Sequence, residues 1–224
     1  MREMIGEIRA VIFDMDGVLT DSMPAHALAW QRAFEEIGIR IEPMDIYLLE
    51  GSNHSGIVEA ILERYDREYS EELKTELSRR KIQIFNTLYK PSTYRGVKKL
   101  ITMLKSKNLK LAVASGSNHA TVHQIIERCF EPGTFKTILT GDDIENGKPA
   151  PEIYQKAISR LRLTPRECIV IENAPRGIAA AKKAGCTCIA ITTTLPPQHL
   201  KDADIIVKSH EELYRHLRES IDQD

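Results

Sequence analysis

From residue 109 onward, short apolar runs rich in β-branched residues alternate with amphipathic segments, and this alternation constrains the fold more than any other feature. Leu109 to Ala114, Phe135 to Leu139, Cys168 to Ile171, Cys186 to Ile191 and Asp204 to Val207 read as strands. Val122 to Ile126, Ile153 to Leu161, Ile178 to Ala184 and Glu211 to Leu217 read as helices, as does Val97 to Leu104 upstream. Strands that alternate with helices imply a parallel sheet covered on both faces. Ala10 to Phe13 is a further strand, but it meets no other strand signal until residue 109. The intervening stretch is helical in spacing. Met23, Ala27, Trp30, Phe34 and Ile37 form one apolar stripe, with Gly38 as its stop. A short element spans Pro43 to Leu49, the loop Gly51-Ser52-Asn53-His54 follows, and a helix runs from Ser55 to about Arg67. Ser70 before Glu71 and Glu72 is an N-cap signature for a helix that Pro91 ends. The expected fold is therefore α/β, a doubly wound, mostly parallel sheet with an all-helical cap domain inserted after the first strand. The expected division is a core of residues 1–20 and 91–224, and a cap of residues 21–90.

Charge and cysteine usage narrow the function. A net charge of −1 over 224 residues offers no basic face for nucleic acid or a membrane surface. No apolar run approaches the ~20 residues of a membrane span, and Met1 to Arg9 lacks the apolar core of a signal peptide. Three of the four cysteines, Cys129, Cys168, Cys186 and Cys188, fall in or beside strand signals, as expected of buried, reduced thiols. A cytoplasmic monomer is expected.

Chemistry concentrates at strand ends. Asp14 sits where the first strand stops, Asp16 two residues on, and Gly17 permits a sharp turn. A calcium loop would need more oxygen ligands and a distal Glu, and Val18 and Leu19 interrupt. Ser115, followed by Gly116 and Asn118, comes after the strand ending at Ala114. Lys148 lies in Gly147-Lys148-Pro149-Ala150-Pro151, and Glu172-Asn173 follows Ile171. Singly, each has a structural reading: Ser115-Gly116 as a turn, Lys148 as a solvated loop lysine, Asn173 as a helix cap. In a parallel sheet all four face the same edge, where open α/β sheets bind ligands.

With these residues in place, the chain resembles the haloacid dehalogenase superfamily of phosphotransferases over essentially its whole length. Asp14-Met15-Asp16-Gly17-Val18-Leu19-Thr20-Asp21, the strand ending in Ser115, the Gly147–Pro151 run and Glu172-Asn173 carry the resemblance in order and spacing. The stretch Thr20 to Trp30 is most similar to the β-phosphoglucomutase group and its sugar-phosphate phosphatase relatives. The resemblance implies a Mg2+-dependent phosphatase acting on a small phosphorylated metabolite, a sugar or polyol phosphate, through an aspartyl-phosphate. The alternatives are a phosphosugar mutase and a catalytically degenerate protein that binds a phospho-ligand. It implies Asp14 as nucleophile and Asp16 as acid and base, with Ser115 and Lys148 holding the phosphoryl group. Asp14, the backbone carbonyl of Asp16, Glu172 and Asn173 would hold Mg2+. His26, Trp30, Gly51, His54, Lys81, Gly116 and Asn118 are the candidates for substrate contact. Two departures stand out. Asn173 occupies a position where the family commonly has Asp. His54 stands near where β-phosphoglucomutases carry a phosphate-binding arginine, and histidine cannot make the bidentate fork. Lys81 is a candidate replacement cation, or else part of a solvated helix face.

Overall fold

The computed structural model describes residues 8–222. Met1 to Glu7, where the expected core segment begins, lie outside the described residues, as do Gln223 and Asp224. The strands are β1 (Ala10–Phe13), β2 (Lys110–Ala114), β3 (Thr137–Leu139), β4 (Cys168–Glu172), β5 (Thr187–Ile191) and β6 (Ile205–Val207). They form one parallel sheet in the order β3-β2-β1-β4-β5-β6. β1 is central because Ala10 to Phe13 has no polar side chain to solvate, and all four residues are fully buried. Alternate residues divide between two cores. Val11, Phe13, Leu111, Val113, Ile169 and Ile171 face one, and Ala10, Ile12, Ala112, Ala114, Cys168 and Val170 the other.

Helices cover both faces. Ile153, Tyr154 and Ala157 of α7 (Glu152–Leu161) and Ile178, Ala180 and Ala181 of α8 (Pro175–Lys183) fill the second core. The first core takes apolar residues of α5 (Val97–Ser106), α6 (His119–Cys129) and α9 (His210–Asp222). The third strand starts at Thr137 rather than at Phe135, whose ring packs edge-on against Phe130. The apolar character of Phe135 reports packing there, not strand pairing.

Between β1 and α5 lie only helices: α1 (Met23–Glu35), α2 (Pro43–Leu49), α3 (His54–Arg64) and α4 (Glu71–Leu88). α1 packs along α4 and against α2, and α3 lies along α4. The Ser70 hydroxyl accepts from Leu73 N at the start of α4. Asn53 does the same for α3, accepting from Gly56 N, so that helix begins at His54 rather than Ser55. No helix among the described residues is long and apolar enough to cross a membrane.

The chain runs outward from β1 through β2 to β3, then returns to place β4 on the other side of β1. The reversal opens a crevice beyond the ends of β1 and β4, which is where this architecture receives ligands. Gly17, at φ +83°, turns the chain away from β1 toward the helical insert.

Trp30 and Phe34 of the insert, 1% and 0% exposed, stack at 5.6 Å within the same buried cluster as Val11 and Phe13 of β1. Phe34→Ala is expected to cost about 3–5 kcal/mol, read as a lower urea midpoint at unchanged slope.

Candidate active site

The site is built on Lys148. Its ammonium donates to Asp14 Oδ1 and to Glu172 Oε1, both at 2.6 Å, and to the carbonyl of Ala114 at 3.2 Å. One buried cation thus ties the ends of β1, β2 and β4. Burial alone would depress the lysine, but the charges of Asp14 and Glu172 outweigh it and raise it, so it stays protonated. Glu172 Oε1 also accepts from the Tyr154 hydroxyl, and Oε2 from Asn173 N at 3.1 Å. For Asp14, burial is the largest influence and pushes its carboxyl well above the usual range. Lys148 opposes this, while Glu172 and Asp16 add to it.

Asp16 has different surroundings. Oδ1 accepts from the Ser22 hydroxyl at 2.5 Å and pairs with His26 Nε2 at 3.1 Å. Oδ2 accepts from the hydroxyls of Ser117 at 3.0 Å and Ser115 at 3.3 Å. Burial by itself would raise this carboxyl. The His26 contact and the two serine hydrogen bonds outweigh it and hold Asp16 well below the usual range. Two neighbouring carboxylates are thereby driven in opposite directions.

The insert supplies the roof. Lys81 is 2% exposed, not on a solvated helix face, and donates to His26 Nδ1 at 2.8 Å and His54 Nε2 at 3.1 Å. An ammonium only donates, so His26 accepts through Nδ1 and donates from Nε2–H to Asp16. Burial, then the Lys81 charge, lower both histidines, and His54 falls well below its ordinary value. His26 stacks on Phe85 at 4.1 Å, and Trp30 meets the His54 ring edge-on at 5.6 Å.

The loop before α3 rests on the sheet edge. A Cβ on Gly116 would lie 2.9 Å from the carbonyl oxygens of both Gly51 and Ser52, so only glycine admits this approach. Arg176, at the start of α8, donates to the Ser52 hydroxyl. Glu50 is buried, and both its oxygens accept from Asn173 Nδ2, at 3.0 and 2.9 Å. The cavity lined by Asp14, Asp16, His26, Trp30, Glu50, Lys81 and their neighbours is about 40 Å³. Such a space holds a water or two, far below the ~300 Å³ at which small-molecule pockets begin.

Several buried polar atoms are aimed at no partner among the described residues: Asp14 Oδ2, Asn173 Oδ1 and Asn118 Nδ2. Asn118 uses its oxygen to cap α6, accepting from Thr121 N, which leaves the amide N–H available to an anion. The orphan oxygens of Asp14 and Asn173 suit a hard cation. So does the local charge: Asp14, Asp16, Glu50 and Glu172 are buried here with at most two ammonium groups, Lys81 and Lys148. No three His, Cys, Asp or Glu side chains among the described residues are grouped to hold a metal by themselves. A cation would have to draw on amide or backbone oxygen as well.

A sequence profile of haloacid dehalogenase-like hydrolases matches residues 11–191. The chain belongs to the haloacid dehalogenase-like hydrolases. It is 32% identical to the β-phosphoglucomutase of Bacillus subtilis over 92% of each chain. It is 31% identical to the phosphorylated carbohydrates phosphatase of Thermotoga maritima, over 80% of this chain and 82% of that one. Among solved structures, a putative β-phosphoglucomutase from Bacteroides vulgatus superposes with a TM-score of 0.88 at 30% identity, covering 99% of this chain and 91% of that one.

The sequence motifs of this haloacid dehalogenase-like chain converge: Asp14, Asp16, Ser115, Lys148, Glu172 and Asn173 all reach the β1–β4 crevice. His26, Trp30, Gly51, His54, Lys81 and Gly116 line its cavity. Sequence reading missed Ser22, Glu50, Ser117 and Tyr154. Ser22 and Ser117 stand within a few residues of motifs and were findable as hydroxyls beside them. Glu50 and Tyr154 look like ordinary helix residues until the chain is folded.

Burial lowers the Lys81 ammonium to about 7 from an ordinary 10.5, with the charge of Asp16 opposing. Between those values the unfolded chain holds a proton at Lys81 that the folded chain does not. Stability therefore rises with pH across that window through this residue. Chemical denaturation of Lys81→Met from pH 7 to 10 is expected to show a flatter rise than the parent protein.

Proposed function

We propose that this haloacid dehalogenase-like enzyme is a Mg2+-dependent phosphatase of a small sugar or polyol monophosphate, and that residues 21–90 serve as its cap domain. The activities of the Bacillus and Thermotoga relatives, a phosphoglucomutase and a carbohydrate phosphatase, support phosphorylated sugars as the substrate class.

Asp14 attacks phosphorus and the ester P–O bond breaks, leaving the phosphoryl group on the Asp14 carboxylate. Asp16 gives its proton to the departing alkoxide. Water then attacks the aspartyl-phosphate, its proton passes to Asp16, and inorganic phosphate leaves. Lys148, Ser115 and the Asn118 amide are placed to balance charge on the phosphoryl oxygens. Bound Mg2+ supplies screening between two anions that otherwise repel, and Asp14, the Asp16 carbonyl and the Glu172–Asn173 pair would hold it. His26 belongs to the insert, so its hydrogen bond to Asp16 exists only with the insert closed. With the contact broken, Asp16 loses a stabiliser of its ionised form and takes up a proton more readily.

One observation favours hydrolysis over mutase chemistry. Among the described residues lining the cavity Lys81 is the one cation, and it is shared by two histidines while Glu50 faces the same space. A mutase must bind a bisphosphate in two orientations, which requires a second anion site under the cap. Neutral His54 and anionic Glu50 make a poor one.

The test is ³¹P NMR of the protein with Mg2+, β-glucose 1-phosphate, a trace of the 1,6-bisphosphate, and then a panel of sugar and polyol monophosphates. Growth of inorganic phosphate is expected. Glucose 6-phosphate growing without inorganic phosphate would establish the mutase instead, and silence across the panel a phospho-ligand-binding protein without turnover. Asp14→Asn is expected to abolish turnover and Asp16→Ala to lower kcat at least 100-fold; full activity in Asp14→Asn would end the covalent mechanism.

A further inference from the structure

Glu50 lines the site, and the reaction gives it no role. It ends α2 on the insert, yet its carboxylate is buried against the core. Both its oxygens accept from the Asn173 amide. Its surroundings carry no ready counter-ion. Lys148 is committed to Asp14 and Glu172, and Lys81 to His26 and His54. A carboxylate in such a place is stable only with a positive charge close by.

The geometry says where that charge would act. Asn173 Nδ2 is held on one side by both Glu50 oxygens and by Thr194 Oγ1 at 2.9 Å. Turning the amide over would set its oxygen against a carboxylate, so the hydrogen bonds fix the orientation. Oδ1 is thereby directed away from Glu50, and it is buried without a partner, as is Asp14 Oδ2. A carboxylate that accepts from an amide N–H polarises the amide and makes its carbonyl oxygen more negative.

We propose that Glu50 is the remote carboxylate of the metal site. Acting through the Asn173 amide, it supplies the negative charge that this neutral side chain lacks, and so couples divalent-cation binding to closure of the insert. The inference rests on the reading of the crevice as a divalent-cation site. With the insert closed, cation, Oδ1, Nδ2–H and carboxylate form an alternating row of charge. With the insert open, Glu50 would leave with α2, and the cation would face Asp14, the Asp16 carbonyl, Glu172 and a neutral amide. By linkage, the cation must favour closure by the same factor that closure favours the cation.

The test is Mn2+ binding to the full chain by electron paramagnetic resonance, alongside Mg2+-driven closure. Closure is read by energy transfer between labels on Arg67→Cys and Ser159→Cys, two exposed positions. All four native cysteines are buried and stay unlabelled. Glu50→Gln, nearly isosteric, is expected to weaken Mn2+ about tenfold and to need about tenfold more Mg2+ for closure. Asn173→Asp placed on Glu50→Gln puts the missing charge directly on the ligand, and is expected to restore Mn2+ affinity to about the parent level. Asp14→Asn is the control. If the parent protein binds no Mn2+, or Asp14→Asn binds it unchanged, the cation reading itself fails and the coupling with it. If Asp14→Asn loses Mn2+ while Glu50→Gln keeps the parent affinity and closure, the cation reading stands and the role of Glu50 is overturned.

Discussion

The structure depends on one buried ammonium. Lys148 sits between Asp14 and Glu172 and also reaches the carbonyl of Ala114. Removing one member of such a buried set costs about 3–5 kcal/mol, because the others remain charged without a partner. Hydrophobic groups of the same volume would serve stability as well. The ion set is better understood as what fixes two carboxylates and a cation together at the β1–β4 switch point, where the fold opens a crevice.

Around this centre the insert contributes several of the site's polar groups. His26 reaches Asp16 from α1, Lys81 of α4 meets His26 and His54, Glu50 reaches Asn173 from the end of α2, and Ser52 meets Arg176. Apolar packing is continuous between the insert and the sheet: Trp30, Phe34 and Ile61 belong to the same buried cluster as Val11 and Phe13, and Tyr47 and Leu48 of α2 pack against the opposite core. The space beneath the insert is about 40 Å³.

Much of the fold could be read directly because strand and helix periods differ and β1 stands alone for nearly a hundred residues. Errors stayed at element ends, as with Phe135, whose ring serves packing instead of pairing. The motif residues at strand ends were also legible, since a parallel sheet brings every carboxyl end to one edge. Lys81 was ambiguous, because a lysine among Arg79 and Arg80 looks solvated until α4 is rotated against α1. Glu50 left no signal at all. A glutamate at the end of a short helix is common, and its partner lies 123 residues away.

By itself, then, the chain determined a parallel sheet, a helical insert behind β1, and a set of acids, a hydroxyl and a cation along one edge. These follow from local periodicity and chain order, which short-range sterics and hydrophobic burial decide. Only the tertiary structure decided which carboxyl is driven up and which down, that His26 and His54 gather around a buried lysine, and that the amide of Asn173 faces a carboxylate. The reason is physical. Ionisation and hydrogen-bond direction depend on desolvation and on charges within a few ångströms, and those neighbours come from strands and helices far apart in sequence.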